Sequence, residues 1–254
     1  TFDIRDDDIM LITYPKAGTY WLHQVVKLIL AEHGVTDENY LGNSPNLIEF
    51  TRPVIGPLAE MIKTAPSPRV LATHVPVEFL PDGLLGSKAK TVVLMRNPKD
   101  TAVSMFHFAQ TSTVLPTPES WDSFAQQFLT GDCPWGSFYD HVLGYWKLKD
   151  QHNILFLKYE DMKKVFCHKK LVQLISKQIG WVMRLSNVRT AVALEESINR
   201  RSTLALIGQM FSYYYFFFSG VIGDWKNYFS DDQSRAYDDQ YRERLANTGL
   251  EFQF

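Results

Sequence analysis

The sequence predicts an α/β fold, one domain over residues 1–254 with a central parallel sheet flanked by helices. Three observations lead to it. Four apolar runs of strand length, Ile9 to Ile12, Val70 to Ala72, Thr91 to Met95 and Ile154 to Leu157, are separated by segments long enough for crossover helices. The first run passes through a compact turn into a stretch where Trp21, Leu22, Val25, Val26 and Ile29 recur at helical spacing. No repeat or low-complexity linker divides the chain, and a hydrophobic fraction of 45% is enough for one sizeable core.

The turn after the first strand holds Lys16 and Gly18 at a helix N-terminus. Unpaired N–H groups and the positive end of the helix dipole favour an anion there; Gly18 lets the backbone approach it, and Lys16 adds a mobile charge. The GxxxxGK[ST] loop of nucleotide triphosphatases is absent, which weighs against kinase or ATPase chemistry. A plain strand-turn-helix with an incidental lysine is the rival reading of this segment taken alone. Asn43 to Pro68 reads as a proline-bearing loop, too long for a plain connection and therefore expected to carry binding residues. Leu115 to Glu119 is a second loop. Trp121 to Leu129, Phe138 to Trp146 and Lys169 to Ile179 read as helices, the last with Leu171, Leu174, Ile175 and Ile179 on one face.

A polar residue follows each strand: Lys16, His74, Arg96 and Tyr159. Ligands of open parallel sheets bind outside the carboxyl ends of the strands, so these four are expected along one edge. Two cations suit a polyanion, and one histidine suits proton transfer near neutral pH. Neither HExxH nor paired cysteines nor a tight carboxylate cluster is present, which points to a transfer reaction without a metal. A net charge of -2 argues against a nucleic-acid partner, which would need a basic face. Cys133 and Cys167 form neither a disulfide framework nor a metal or redox motif, so a reducing cytoplasm is expected. No apolar run reaches membrane-spanning length and no signal peptide precedes the first strand; no membrane association is expected. The chain opens almost directly on that strand, which implies preceding residues in a longer natural protein.

Thr13 to Trp21, TYPKAGTYW, resembles the phosphosulfate-binding loop of the cytosolic sulfotransferases. The resemblance continues in order through Ala72-Thr73-His74, RNPKDTAVSMFHF from Arg96, YEDMK from Tyr159 and GDWK from Gly223. It implies a nucleotide-kinase-like fold and transfer of a sulfuryl group from 3′-phosphoadenosine-5′-phosphosulfate to a hydroxyl or amine. In that reading the loop residues Lys16, Ala17, Gly18, Thr19, Tyr20 and Trp21 bind the cofactor, with Lys16, Gly18 and Thr19 on the 5′-phosphosulfate and Trp21 stacked on the adenine. Lys16 also stabilises the bridging oxygen, and His74 is the general base. Arg96 and Ser104 bind the 3′-phosphate, Tyr159 lies near the adenine, and Ser197 stands where the family places a hydroxyl. Phe50, Phe106 and Phe108, with His74 and the neighbouring Glu49, match positions that build an apolar acceptor pocket, implying a small hydrophobic acceptor.

Each residue also has a structural rival. A histidine such as His74 in isolation is more often a satisfied core group, and its strand-end position in the THVP context is what favours the base. His107 reads as a packing or pocket residue; His23, His33, His141, His152 and His168 read as structural. Arg96 alone would suit a helix cap, and Trp21 the helix core. The departures from the family pattern are as informative. Its usual Arg-Lys-Gly triplet before GDWK, two cations and a close backbone for the 3′-phosphate, is here Phe218-Ser219-Gly220. Ala17 and Tyr20 replace small hydroxyl residues, and Ala72 replaces a lysine. The aromatic run Phe211 to Phe218 leaves four readings open: pocket wall, oligomer surface, β-prone segment or ordinary core. Ser230, Asp231 and Arg235 erode the segment through which the family forms homodimers. Two alternatives to the enzyme follow, a non-catalytic relative with weakened nucleotide binding and a nucleotide or small-molecule kinase.

The altered triplet makes a prediction. Replacing Phe218→Arg together with Ser219→Lys should tighten binding of adenosine 3′,5′-bisphosphate by roughly tenfold, through charge-assisted phosphate contacts. Isothermal titration should show adenosine 5′-phosphate binding almost unchanged.

Overall fold

The chain, described in a computed structural model for residues 2–31, 35, 45–52, 56–113, 115–151, 153–165, 175 and 220–254, opens with β1 (Ile9–Thr13) and α1 (Thr19–Ala31). A small hairpin, β2 (Thr51–Arg52) with β3 (Gly56–Pro57), leads into α2 (Leu58–Ile62). Then follow β4 (Val70–Thr73), β5 (Lys90–Met95), α3 (Pro98–Thr111), α4 (Trp121–Thr130), α5 (Phe138–Trp146), β6 (Ile154–Lys158) and α6 (Tyr159–Val165). A 3₁₀ turn at Asp224–Asn227 precedes α7 (Asp231–Leu245).

The four predicted strands form one parallel sheet in the order β4-β1-β5-β6, each a residue longer than its apolar run. Their side chains alternate between two buried layers, so the runs had to be apolar throughout. Ile9, Leu11, Val70, Ala72, Val92 and Leu94 pack with Leu22, Val25, Val26 and Ile29 of α1. Met10, Ile12, Leu71, Val93 and Met95 pack with residues of α3, α4, α5 and α7. This is the α/β architecture the sequence predicts.

Helix ends follow local chemistry. Asn97 caps α3 by accepting from the Lys99 and Asp100 N–H groups, with Pro98 in the first turn. Ser120 and Ser137 cap α4 and α5, and Gly131 closes α4 at φ 80°. Two features depart from the sequence expectation. The stretch read as a long loop contains the hairpin and α2, whose Leu58 and Ile62 are buried; two anchoring residues are too few to produce a helical period. Helix α7 is polar nearly all round and buries only Tyr237 and Leu245, so its legible signal is the Ser230/Gln233 capping box rather than periodicity. Of the expected 169–179 helix only Ile175 is described, helical and buried against α1; the aromatic run lies outside the described residues.

At the amino edge of the sheet, Asp8 before β1 meets Arg69 before β4 in a bidentate pair of 2.8 and 2.5 Å, both side chains buried. The Ile9 N–H donates to the Arg69 carbonyl and the Lys90 N–H to that of Asp8, so the pair joins three strand starts. Removing one partner of a buried pair strands the other charge. Asp8→Ala should therefore lower the unfolding free energy by about 3–5 kcal/mol in urea denaturation, and adding Arg69→Met should recover most of that loss.

Candidate functional site

Lys16, His74, Arg96 and Tyr159 do gather at the carboxyl edge of the sheet, and the strand order sets them in the row His74, Lys16, Arg96, Tyr159. With strands about 4.8 Å apart, the row spans about 14 Å. The chain leaves β1 toward β4 and leaves β5 toward β6, so the crevice opens between β1 and β5, between Lys16 and Arg96.

The loop after β1 is shaped by two left-handed backbone positions, Lys16 at φ 69° and Gly18 at φ 115°. Only glycine suits the second, since a Cβ there would fall 2.8 Å from the Tyr159 ring. The Gly18 carbonyl accepts from the Leu22 N–H, opening α1. Tyr14 anchors the loop from below, donating to the Gly136 carbonyl and meeting Phe128, Phe138 and His141 edge-on. The Lys16 ammonium lies 4.4 Å from the centre of the Phe108 ring. Burial, reinforced by Arg96, lowers the Lys16 pKa to about 7.

His74 is held to the loop through Thr13. Its Nδ1 stands 2.8 Å from the Thr13 carbonyl and 3.1 Å from Thr13 Oγ1, which in turn is 2.6 Å from Thr19 Oγ1. A carbonyl only accepts, so Nδ1 carries the proton and Nε2 the lone pair. Burial lowers the His74 pKa to about 4, against the opposing pull of the Thr13 carbonyl, and the imidazole is neutral at pH 7. The His74 N–H donates to Glu49 Oε1 at 2.8 Å, and the Tyr145 hydroxyl donates to the next carbonyl, that of Val75. The 43–68 stretch thus contributes to the site through Glu49. A cleft of ≈ 300 Å³ beside it is lined by Ile48, Glu49, Thr73, Val75, Phe79 and Leu80.

Arg96 donates to the Lys16 and Val221 carbonyls, both at 3.2 Å, and its guanidinium lies 4.6 Å from the Tyr159 ring centre. Its Nε is buried without a hydrogen-bond partner. Ser104 is buried on α3. Trp21 meets Tyr159 edge-on at 5.3 Å, with the Lys163 ammonium over both rings. Tyr159 donates to the Gly220 carbonyl at 3.2 Å. Tyr20 is more than a third exposed, while Ala17 is fully buried in the core.

The acceptor candidates separate. Phe106 and Phe108 stand two residues apart on α3 and face different ways: Phe108 lies under Lys16, whereas Phe106 packs with Trp121 and Phe124. Phe50 is half-buried at the start of the hairpin segment. His107 makes packing contacts, its Nε2 2.8 Å from the Tyr228 hydroxyl and its ring edge-on to Phe106 and Tyr228. Ser197, Phe218 and Ser219 lie outside the described residues.

Two residues of the RNPKD motif were not singled out in the sequence. Buried Asp100 accepts from the Gly223 and Trp225 N–H groups at 2.8 and 3.1 Å, and buried Lys99 pairs with Asp238 and lies 4.2 Å from the Trp225 ring centre. Together they dock the GDWK segment behind Arg96. Adjacent opposite charges in the first turn of an otherwise buried helix were the available signal.

The profile of the family described as "Sulfotransferase domain" matches residues 6–249. Sulfotransferase 1C2 of Homo sapiens is 34% identical over 262 residues, covering 99% of this chain and 88% of that protein. Sulfotransferase 6B1 of Danio rerio is 36% identical over 250 residues, covering 97% and 81%. Among solved structures, mouse sulfotransferase SULT7A1 complexed with PAP superposes with a TM-score of 0.78 at 33% identity, covering 97% of this chain and 86% of that one.

The depressed Lys16 pKa sets a pH dependence for any anion the loop binds. The ammonium is the binding form, so affinity is full below about pH 7 and is lost as pH rises through it. Titration with inorganic pyrophosphate should show affinity falling roughly tenfold between pH 7.5 and 8.5. In Lys16→Arg, whose guanidinium stays charged, that slope should vanish.

Proposed function

The chain belongs to the sulfotransferase family, and from that membership we propose that it moves a sulfuryl group from 3′-phosphoadenosine-5′-phosphosulfate to a hydroxyl or amine of a small hydrophobic acceptor, with His74 as general base. The observation that carries this reading is the row at the strand ends: a neutral histidine with its Nδ1–H tied down, then the half-buried Lys16 and the buried Arg96, then an aromatic pair.

The residues present suit such a nucleotide. A bare glycine backbone at φ 115°, the Lys16 ammonium and a buried Arg96 Nε lacking a partner are what a polyanion needs. The PAP complex of the mouse relative supports the same nucleotide class here. Lys16, Gly18 and Thr19 would hold the 5′-phosphosulfate, Arg96 and Ser104 the 3′-phosphate, and Trp21 and Tyr159 the adenine. When bound, the nucleotide supplies the activated sulfuryl group and a phosphate leaving group.

The chain's own residues then do two things. His74 Nε2 accepts the proton of the acceptor hydroxyl or amine, a contribution of roughly 10²–10⁴-fold in rate. Its depressed pKa keeps that lone pair available across neutral pH, because the imidazole gains a second proton only near pH 4. Lys16 places its charge where the departing phosphate oxygen becomes negative, the kind of preorganised stabilisation that dominates most catalysis. Phe108, with Phe50, offers an apolar surface for the acceptor, while buried Phe106 backs it from the core.

Single-turnover kinetics and bisphosphate titration together test the assignment. His74→Ala should abolish sulfuryl transfer and leave binding of adenosine 3′,5′-bisphosphate nearly intact, whereas Lys16→Ala should damage both. An active His74→Ala protein would sink the general base. A wild-type protein that binds neither the bisphosphate nor ATP would favour the non-catalytic relative suggested by Phe218 and Ser219; one that binds ATP alone would favour a kinase.

A further inference from the structure

We propose that Lys163 is a nucleotide-binding cation of this chain, meeting the phosphate carried on the adenosine end of the ligand and replacing charge absent from the Phe218-Ser219-Gly220 triplet. This rests on the reading that the site takes the 3′-phosphorylated nucleotide.

Four observations carry it. First, Lys163 is placed by α6, which begins at Tyr159 immediately after β6, the strand at the Arg96 end of the row and farthest from His74. Lys163 stands one helical turn beyond Tyr159, on the same face. Second, its ammonium lies 5.5 Å from the Trp21 ring centre and 6.0 Å from that of Tyr159, so it sits on the aromatic pair proposed to hold the base. Third, it reaches the triplet: a Cβ built on Gly220 would lie 3.2 Å from Lys163 Nζ. Gly220 holds a left-handed φ of 58°, and its carbonyl accepts from the Tyr159 hydroxyl, so the backbone there is fixed against the lysine. Fourth, no carboxylate among the described residues pairs with Lys163, and the field of Arg96 adds to partial burial in lowering its pKa.

The charges of Lys163 and Arg96 oppose each other, and an anion bound beside both relieves that repulsion. Lys16 and Arg96 cover the loop end and the middle of the row. Lys163 stands beyond Arg96 toward the aromatic end, so that the two together would flank the phosphate of an extended 3′,5′-substituted adenosine that does not belong to the loop. Its flexible stem and compact charge suit an exposed phosphate, which needs a cation but no fixed fork.

The test uses the whole chain and equilibrium binding. Lys163→Ala should weaken adenosine 3′,5′-bisphosphate by about tenfold or more, in line with the loss of one charge-assisted contact, and should change adenosine 5′-phosphate by less than about twofold. Lys163→Arg should retain most of the affinity, and the alanine variant should show a shallower loss of bisphosphate binding with added salt. Equal weakening of both nucleotides would overturn the proposal, since it would mean that the lysine merely props the Trp21–Tyr159 pair. Unchanged bisphosphate affinity would overturn it as well. A wild-type chain that binds no bisphosphate would instead defeat the nucleotide reading itself, an outcome distinct from either.

Discussion

Lys16 and Arg96 are held side by side at the mouth of the sheet against their mutual repulsion, and much of the surrounding architecture serves that placement. The Arg96 guanidinium donates to the Lys16 backbone carbonyl, so the arginine grips the loop that carries the other cation. Tyr159 lies under the guanidinium, and Gly18 leaves room for that ring. Phe108 lies under the ammonium. Glu160 stands close by, its Oε1 accepting from the Asn97 N–H; burial raises its pKa, and the charge of Arg96 opposes that rise. The result is concentrated positive potential in a low-dielectric recess, which strengthens the grip on an anion and costs stability in its absence.

How legible this was depended on the range over which each feature is encoded. The strands were readable because burial on both faces demands unbroken apolar runs, and Lys16, His74, Arg96 and Tyr159 followed from the rule that such sheets bind at their carboxyl ends. The loop after β1 was legible through its glycine and lysine. Helix α7 did not, because its two buried residues leave no period to detect. Phe106 and Phe108 looked equivalent in sequence but diverge on a helix, where residues two apart face different ways. The Thr13–His74 bond joins residues 61 positions apart, and nothing local in either segment specifies it. Glu49 was visible only as a neighbour of Phe50; its bond to the His74 N–H is a tertiary fact.

The histidine shows how a scaffold fixes a tautomer without a carboxylate partner. Its Nδ1–H is committed to a main-chain carbonyl of the adjacent strand, a neutral acceptor that orients the ring and leaves its basicity low. Two further contacts, from Glu49 and Tyr145, fix the backbone on either side of it. The orientation of the imidazole therefore depends on packing between β1, β4 and α5 more than on any charge in the crevice.

Asp100 binds the Gly223 N–H across 123 positions of sequence, and this has a consequence for assembly on the ribosome. Among the described residues the sheet ends at β6, so these four strands are already synthesised before the segment that backs Arg96. Until then Asp100 and Lys99 have no partners from the 223–238 region, and the Val221 carbonyl that orients Arg96 has not arrived. Closing such a long loop is a late and slow event in a chain built from otherwise shorter-range strand pairings. The full set of contacts around Arg96 is then acquired last, by a nearly finished chain.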